Sequence, residues 1–185
     1  MEKTTMTSRA LIGSVLLLLP SLAFGAWNVE GKSKITFHAD GPAGFAIDGA
    51  SSEFSVSETP ESMVFTVPVS AVSTGIDLRD AHMRNYVEAE TFPTVTLTIP
   101  KDQLNFPAEG QKKSVGIAQG TFNMHGVDKP AKVKYAMKTE KKGVSWVASF
   151  GFNTEAHGII VPEYMGVTAD PAMSAQAKFT TVPAE

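Results

Sequence analysis

Asp77, Arg79, Asp80, His82 and Arg84 are the densest group of charged and titratable side chains in this 185-residue sequence. Their spacing suits a short helix on which Asp80 and Arg84 stand one turn apart. Interspersed opposite charges of this kind pair with each other as a salt-bridged helix edge. The alternative is a head-group site, with Arg79 and Arg84 reaching a phosphate or carbonyl by charge-assisted hydrogen bonds and Asp80 and His82 beside them. An acid–base centre would need a partner frame, and the chain has no G-x-S-x-G turn, no phosphate-cradling glycine loop and no paired carboxylates.

The remaining chemistry is sparse. His38, His82, His125 and His157 are far apart in the chain, and no pair has the spacing of a helical or hairpin metal motif. We therefore expect no metal site and read them as structural or surface histidines. His157, Tyr164 and Met165 share a stretch with Gly158, Pro162 and Gly166, so an imidazole, a phenol and a thioether could converge at the mouth of a cavity. A neutral His157 there would hydrogen-bond a quinone or alcohol and change charge between about pH 5 and 8. The alternative is that His157 satisfies backbone carbonyls. The absence of cysteine excludes disulfides, cysteine zinc sites, a catalytic thiol and covalent c-type haem.

The elements that must position these residues follow from composition and period. With 43% hydrophobic and 19% charged residues the chain is long enough for one domain with a core. Residues 1–25 read as a cleaved signal peptide: Lys3 and Arg9, then the apolar run Ala10–Leu19, then Pro20 and small residues, with cleavage between positions 23 and 26. That run is too short for a membrane-spanning helix, so export to the periplasm without a retained span is expected. The formal net charge of −3 becomes one unit more negative once Lys3, Arg9 and Glu2 are removed, which argues against nucleic acid as a partner.

Beyond the leader, residues 26–185 form one domain in which apolar residues alternate with polar ones. Strands are expected at Asn28–Ala39, Phe45–Val56, Ser62–Ser73, Thr94–Ile99, Val115–Met124, Ala131–Lys138, Gly143–Asn153 and Met173–Val182. The fold class is all-β: about eight antiparallel strands closed into a barrel, with a short helix within Thr74–Phe92 and a long capping loop at Glu155–Pro171. An immunoglobulin-like sandwich is the competing architecture. A barrel of eight strands holds one small or elongated ligand, or is filled by its own side chains. The inward set is expected to include Phe37, Phe45, Phe65, Val67, Val95, Leu97, Phe122, Trp146, Phe150 and Phe179.

Two stretches carry a family resemblance. Ser73-Thr74-Gly75-Ile76-Asp77-Leu78-Arg79-Asp80-Ala81-His82-Met83-Arg84, followed by Thr91-Phe92-Pro93-Thr94-Val95, resembles the T-G…R-D-x-H-[LM]-R…[YF]-P-x-[IV] signature of the YceI-like family. Gly120-Thr121-Phe122-Asn123-Met124-His125-Gly126-Val127-Asp128-Lys129-Pro130 is similar to that family's G-x-L-x-[LIM]-x-G-x-x-[KR]-P hairpin. Two stretches depart from the pattern. Asn85-Tyr86-Val87-Glu88-Ala89-Glu90 replaces an aromatic-rich D-F-F-D segment, and Asn153 to Ile159 lacks the family's usual arginine and aspartate.

The resemblance implies a periplasmic lipocalin-like barrel that binds a polyisoprenoid, an isoprenoid quinone or another long-chain amphiphile. The want of any nucleophile frame disfavours an enzyme, and no cofactor is required beyond that ligand. The partners expected are the lipid and, on the protein side, a second copy of the chain or a membrane protein. The rival reading is an electron-transfer or stress-related interaction module without a bound lipid.

Overall fold

The computed structural model describes residues 25–41, 45–108, 111–160 and 170–183. The expected leader at 1–25 therefore lies almost wholly outside the described residues, as does Tyr164. The described residues form nine strands and one α-helix: β1 (Gly25–Asp40), β2 (Ala46–Ser51), β3 (Ser55–Glu58), β4 (Ser62–Pro68), α1 (Asp77–Tyr86), β5 (Thr94–Pro100), β6 (Lys113–Met124), β7 (Val127–Thr139), β8 (Val144–Asn153) and β9 (Ala172–Pro183). Every strand pair is antiparallel, and β1 pairs with β9 to close the sheet into a barrel. A closed ladder removes the sheet edges that a sandwich would leave open.

The alternation is clearest on β7. Ala131, Val133, Tyr135 and Met137 are buried while Lys132, Lys134 and Lys138 are exposed. Met124↔Val127 closes the β6–β7 hairpin around His125 and Gly126, whose φ values of 54° and 70° belong to a two-residue turn of the mirror-image type.

The wall departs from the expected strands at two places. The strand expected over Ser62–Ser73 ends at Pro68, and Val69–Ala71 form one turn of 3-10 helix instead. Phe45–Val56, read as a single strand, is broken into β2 and β3. Ser51 Oγ accepts from the Glu53 amide at 3.1 Å and donates to the Glu53 carbonyl at 3.0 Å, a local turn that competes with the ladder. β2 and β3 thus lie one after the other along the same side of β1, β2 against Ile35–Asp40 and β3 against Gly25–Trp27. β2 ends the sheet order and meets the chain that leads into α1 at the single bridge Ala50↔Ser73, whose two backbone hydrogen bonds are 2.8 and 2.9 Å.

The end of the barrel away from α1 is an aromatic floor. Trp146 and Phe179 stack with ring centroids 5.8 Å apart, and Phe65 packs edge-on against Trp146 at 6.0 Å. Trp146 Nε1 donates to Thr181 Oγ1 at 2.9 Å, so the buried indole N–H is satisfied. The Tyr135 hydroxyl accepts from the Asn105 amide at 2.7 Å and donates to the Gln103 carbonyl. Its ring lies across Gly116 on the neighbouring strand, where any β-carbon would overlap it.

Candidate functional site

Inside the barrel is a cavity of about 630 Å³ whose lining is almost wholly apolar. Phe37, Phe65, Val67, Val95, Leu97, Phe122, Trp146, Phe150 and Phe179 line it. Phe45 does not: it is 74% exposed. It has the parity of Ile47, which does line the cavity, but it lies just before β2 at the turn where Gly41 N–H donates to its carbonyl, past the end of the wall. Ile35, Phe152, Met173 and Ala175 also line the space. Each shares the parity of an expected inward neighbour, so strand alternation carried that information. Met83 and Tyr86 enter from α1, four and seven positions after Arg79, on one helical face.

The cavity opens at the α1 end. At the floor Tyr135, Trp146 and Phe179 are buried, whereas His82, Tyr86, Ile160 and Asp170 are exposed and lie beside α1 or past the ends of β8 and β9. Of the expected mouth cluster, Arg79 and His82 line the cavity and Arg84 is absent from the lining. Arg84 is displaced because the helix turns Arg79, Met83 and Tyr86 inward, which leaves position 84 on the flank.

Asp80 has a different role from the one expected. It is only 5% exposed and is held by Ser73 Oγ–H at 2.7 Å, by the Thr74 amide at 2.7 Å and by the Thr74 hydroxyl. These donors lower its pKa to about 2, hydrogen bonds from Thr74 first; burial opposes them and the charge of Arg84 adds a little at longer range. The Asp80–Arg84 ion pair suggested by their spacing is not among the close contacts. Arg79 Nε donates to Thr74 Oγ1 and its Nη2 to the Thr74 carbonyl, both at 2.8 Å. Thr74 is therefore a hub that ties both motif residues to the chain entering the helix.

His157 is not at the mouth. It is 1% exposed, its Nδ1 lies 2.9 Å from the Val127 carbonyl, and its ring packs edge-on against Phe122 at 5.3 Å. The turn Glu155–His157 after β8 carries it under the β6–β7 hairpin, where it satisfies a backbone carbonyl. The long loop expected at Glu155–Pro171 is described only at its two ends; Tyr164 and Met165 fall outside. Among the described residues no group of three His, Asp or Glu side chains could hold a metal ion. No helix among them is long and apolar enough to cross a membrane.

The sequence profile of the YceI-like domain matches residues 27–180. The chain belongs to the YceI-like family. No curated protein matches it in sequence. Among solved structures it is similar to a polyisoprenoid binding domain from Saccharophagus degradans implicated in plant cell wall breakdown, at 13% identity and a TM-score of 0.69, covering 89% of this chain and 100% of that one. It is also similar to BcnA of Burkholderia cenocepacia, at 18% identity and a TM-score of 0.62, covering 84% and 99% respectively. At these identities the likeness concerns the fold.

In this YceI-like barrel the two sequence motifs meet in space. Phe92, from the end of the first, packs edge-on against His125 of the second with ring centroids 4.5 Å apart. It also lies across Gly126, whose positive φ and lack of a β-carbon both suit the contact. The motifs are thus two halves of one brace at the open end, and Thr74, Arg79 and Asp80 fix the helix that leans on it.

Proposed function

We propose that the protein is a periplasmic carrier or scavenger that holds the apolar chain of a long amphiphile inside its barrel, a polyisoprenoid or isoprenoid quinone in the first place. The observation that carries this reading is the apolar cavity of about 630 Å³ in a barrel otherwise closed by hydrogen bonds. At about 30 Å³ per water-sized group it has room for some twenty carbon-sized groups. Burying roughly 300 Å² of tail at about 25 cal/mol per Å² supplies on the order of 7 kcal/mol before the costs of association.

The mouth suits a single polar head. Arg79 lines it with one edge of its guanidinium bound to Thr74, and His82 is next to it on the same helix. The structural neighbour named for polyisoprenoid binding and the leader-like N-terminus support the same reading. Affinity for such a ligand needs no catalytic group, which fits a binding protein without enzyme activity.

Organic extraction of protein purified from the periplasm, followed by mass spectrometry, tests the proposal. A long-chain species near one equivalent per barrel is the expected result. Protein that yields no such species, and that fails to take up a fluorescent long-chain amphiphile after delipidation, would overturn it.

A further inference from the structure

Five of the nine exposed large apolar side chains among the described residues gather at one end of the barrel; of the other four, Phe106 packs against Trp146 at the floor, and Val115, Ile117 and Val147 lie on the outer wall of β6 and β8. Among the described residues, Phe45, Ile76, Leu78, Tyr86 and Ile160 are 74%, 52%, 67%, 43% and 84% exposed. All five belong to the α1 end: Phe45 just before β2, Ile76 and Leu78 at the head of α1, Tyr86 at its foot, and Ile160 after β8. Tyr86 and Ile160 also line the cavity, so the exposed apolar side chains continue directly into its interior. Exposed apolar groups gathered around an opening mark a surface that is covered in use.

We propose that this rim docks on a lipid bilayer, with Phe45, Ile76 and Leu78 entering the interfacial layer so that the ligand passes between membrane and barrel without crossing water. The inference rests on the carrier reading above. The five side chains come from separate stretches of chain and protrude one by one around a hole. That arrangement suits a deformable apolar phase, whereas a protein segment would use a groove or a strand edge. Once the rim is in contact, the apolar path from bilayer to cavity is continuous.

Charge defines the kind of bilayer. Asp40, Asp77, Glu155 and Asp170 stand at the same end against Arg79 and Arg84, so the rim has no net attraction for anionic head groups. The basic surface is elsewhere: Lys134, Lys138 and Lys178 flank the exposed Val115 and Val147 on the outer wall of β6 to β9. Docking by the rim therefore depends on apolar insertion and gains nothing from anionic lipid or from low salt. Docking by the wall would require both anionic lipid and low salt.

The test uses vesicles of phosphatidylcholine alone and of phosphatidylcholine with phosphatidylglycerol. The protein is expected to partition onto phosphatidylcholine alone at least as well as onto the anionic mixture, and a Leu78→Trp variant should show a blue-shifted emission on vesicle addition. The double variant Phe45→Glu/Leu78→Glu, at two exposed positions outside the cavity lining, should lose at least tenfold in partitioning and in the rate of amphiphile transfer to vesicles. Its equilibrium affinity for a detergent-dispersed fluorescent amphiphile should stay within twofold. Lys134→Glu/Lys178→Glu should change neither.

Unaltered partitioning in the rim variant, its loss in the wall variant, or a wild-type protein that binds no vesicle would overturn the docking proposal. Amphiphile uptake without vesicle binding would remove the docking surface and leave the carrier standing. Vesicle binding through the rim without amphiphile uptake would remove the carrier and leave the docking surface.

Discussion

Glu88 and His125 are the two non-glycine residues among those described whose backbones turn to positive φ, at 48° and 54°, and their side chains stand 3.3 Å apart. One ends the helix that lies over the cavity; the other turns the β6–β7 hairpin. His125 Nε2 is off the line needed for a hydrogen bond to the carboxylate, while its Nδ1 lies 3.1 Å from the His157 carbonyl. The carbonyl contact, with the Phe92 ring, is the anchor. The Glu88 side chain is 57% exposed and adds little.

That ranking is measurable. His125→Asn keeps a residue tolerant of the left-handed turn but removes the donor to the buried carbonyl and the ring contact, and should cost about 1–2 kcal/mol in chemical denaturation. Glu88→Gln should change stability by less than about 0.5 kcal/mol. The reverse order would make the ion pair the anchor.

Asp80 gives an acid dependence with a defined sign. Its folded pKa of about 2 lies below the ordinary carboxylate value, so its stabilisation is complete above about pH 4 and is lost as pH falls through about 2. Asp80→Asn replaces an acceptor facing three donors with a group that must itself donate. Its melting temperature should fall by several degrees at pH 7, and the gap from wild type should shrink steadily between pH 4 and pH 2. A gap independent of pH would mean that the carboxylate charge is immaterial.

His38 behaves in the opposite sense. Its Nδ1 lies 2.7 Å from Asp48 across the β1–β2 pair, and that hydrogen bond raises its pKa, with Asp40 adding a smaller attraction. The stabilisation is present below about pH 6.5 and is lost as pH rises through the raised folded value. In Asp48→Asn the proton-NMR titration midpoint of His38 should move down toward 6.5; an unmoved midpoint would assign the shift to another group.

Ala148 and Ala177 face each other across β8 and β9 and both line the cavity. Ala148→Phe puts a ring into space that the wild type leaves to a ligand. Affinity for a long-chain amphiphile should drop at least tenfold with the fold intact, because filling an existing void adds contacts without straining a packed core. An unchanged affinity would place the ligand elsewhere.

Much of the barrel could be read from residue alternation. On β7, exposed Lys132 and Lys134 alternate with buried Ala131, Val133 and Tyr135 and so state which face is wet, and the same rule selected Trp146, Phe150 and Phe179 on β8 and β9. The rule fails where a strand stops. Phe45 has inward parity but no wall opposite it, and strand length is not written in the period. The Ser51 turn is likewise a local hydrogen bond that alternation does not register. At the mouth, residue types suggested a head-group cluster, yet Asp80 is consumed by Thr74 and Ser73, six or seven positions earlier. Only the path of the chain into α1 brings those hydroxyls to the carboxylate.

The pairing of β1 with β9 also governs how the molecule comes to exist. The first strand waits for the last: until Ala172–Pro183 is available, β1 and β8 are open edges, and no intermediate of this chain can be a closed barrel. Closing a loop that spans nearly the whole chain is a late and slow event. A nascent or truncated chain is thus an aggregation hazard for as long as its final strand is missing, and the step that commits it to the native state is the docking of its own C-terminal segment.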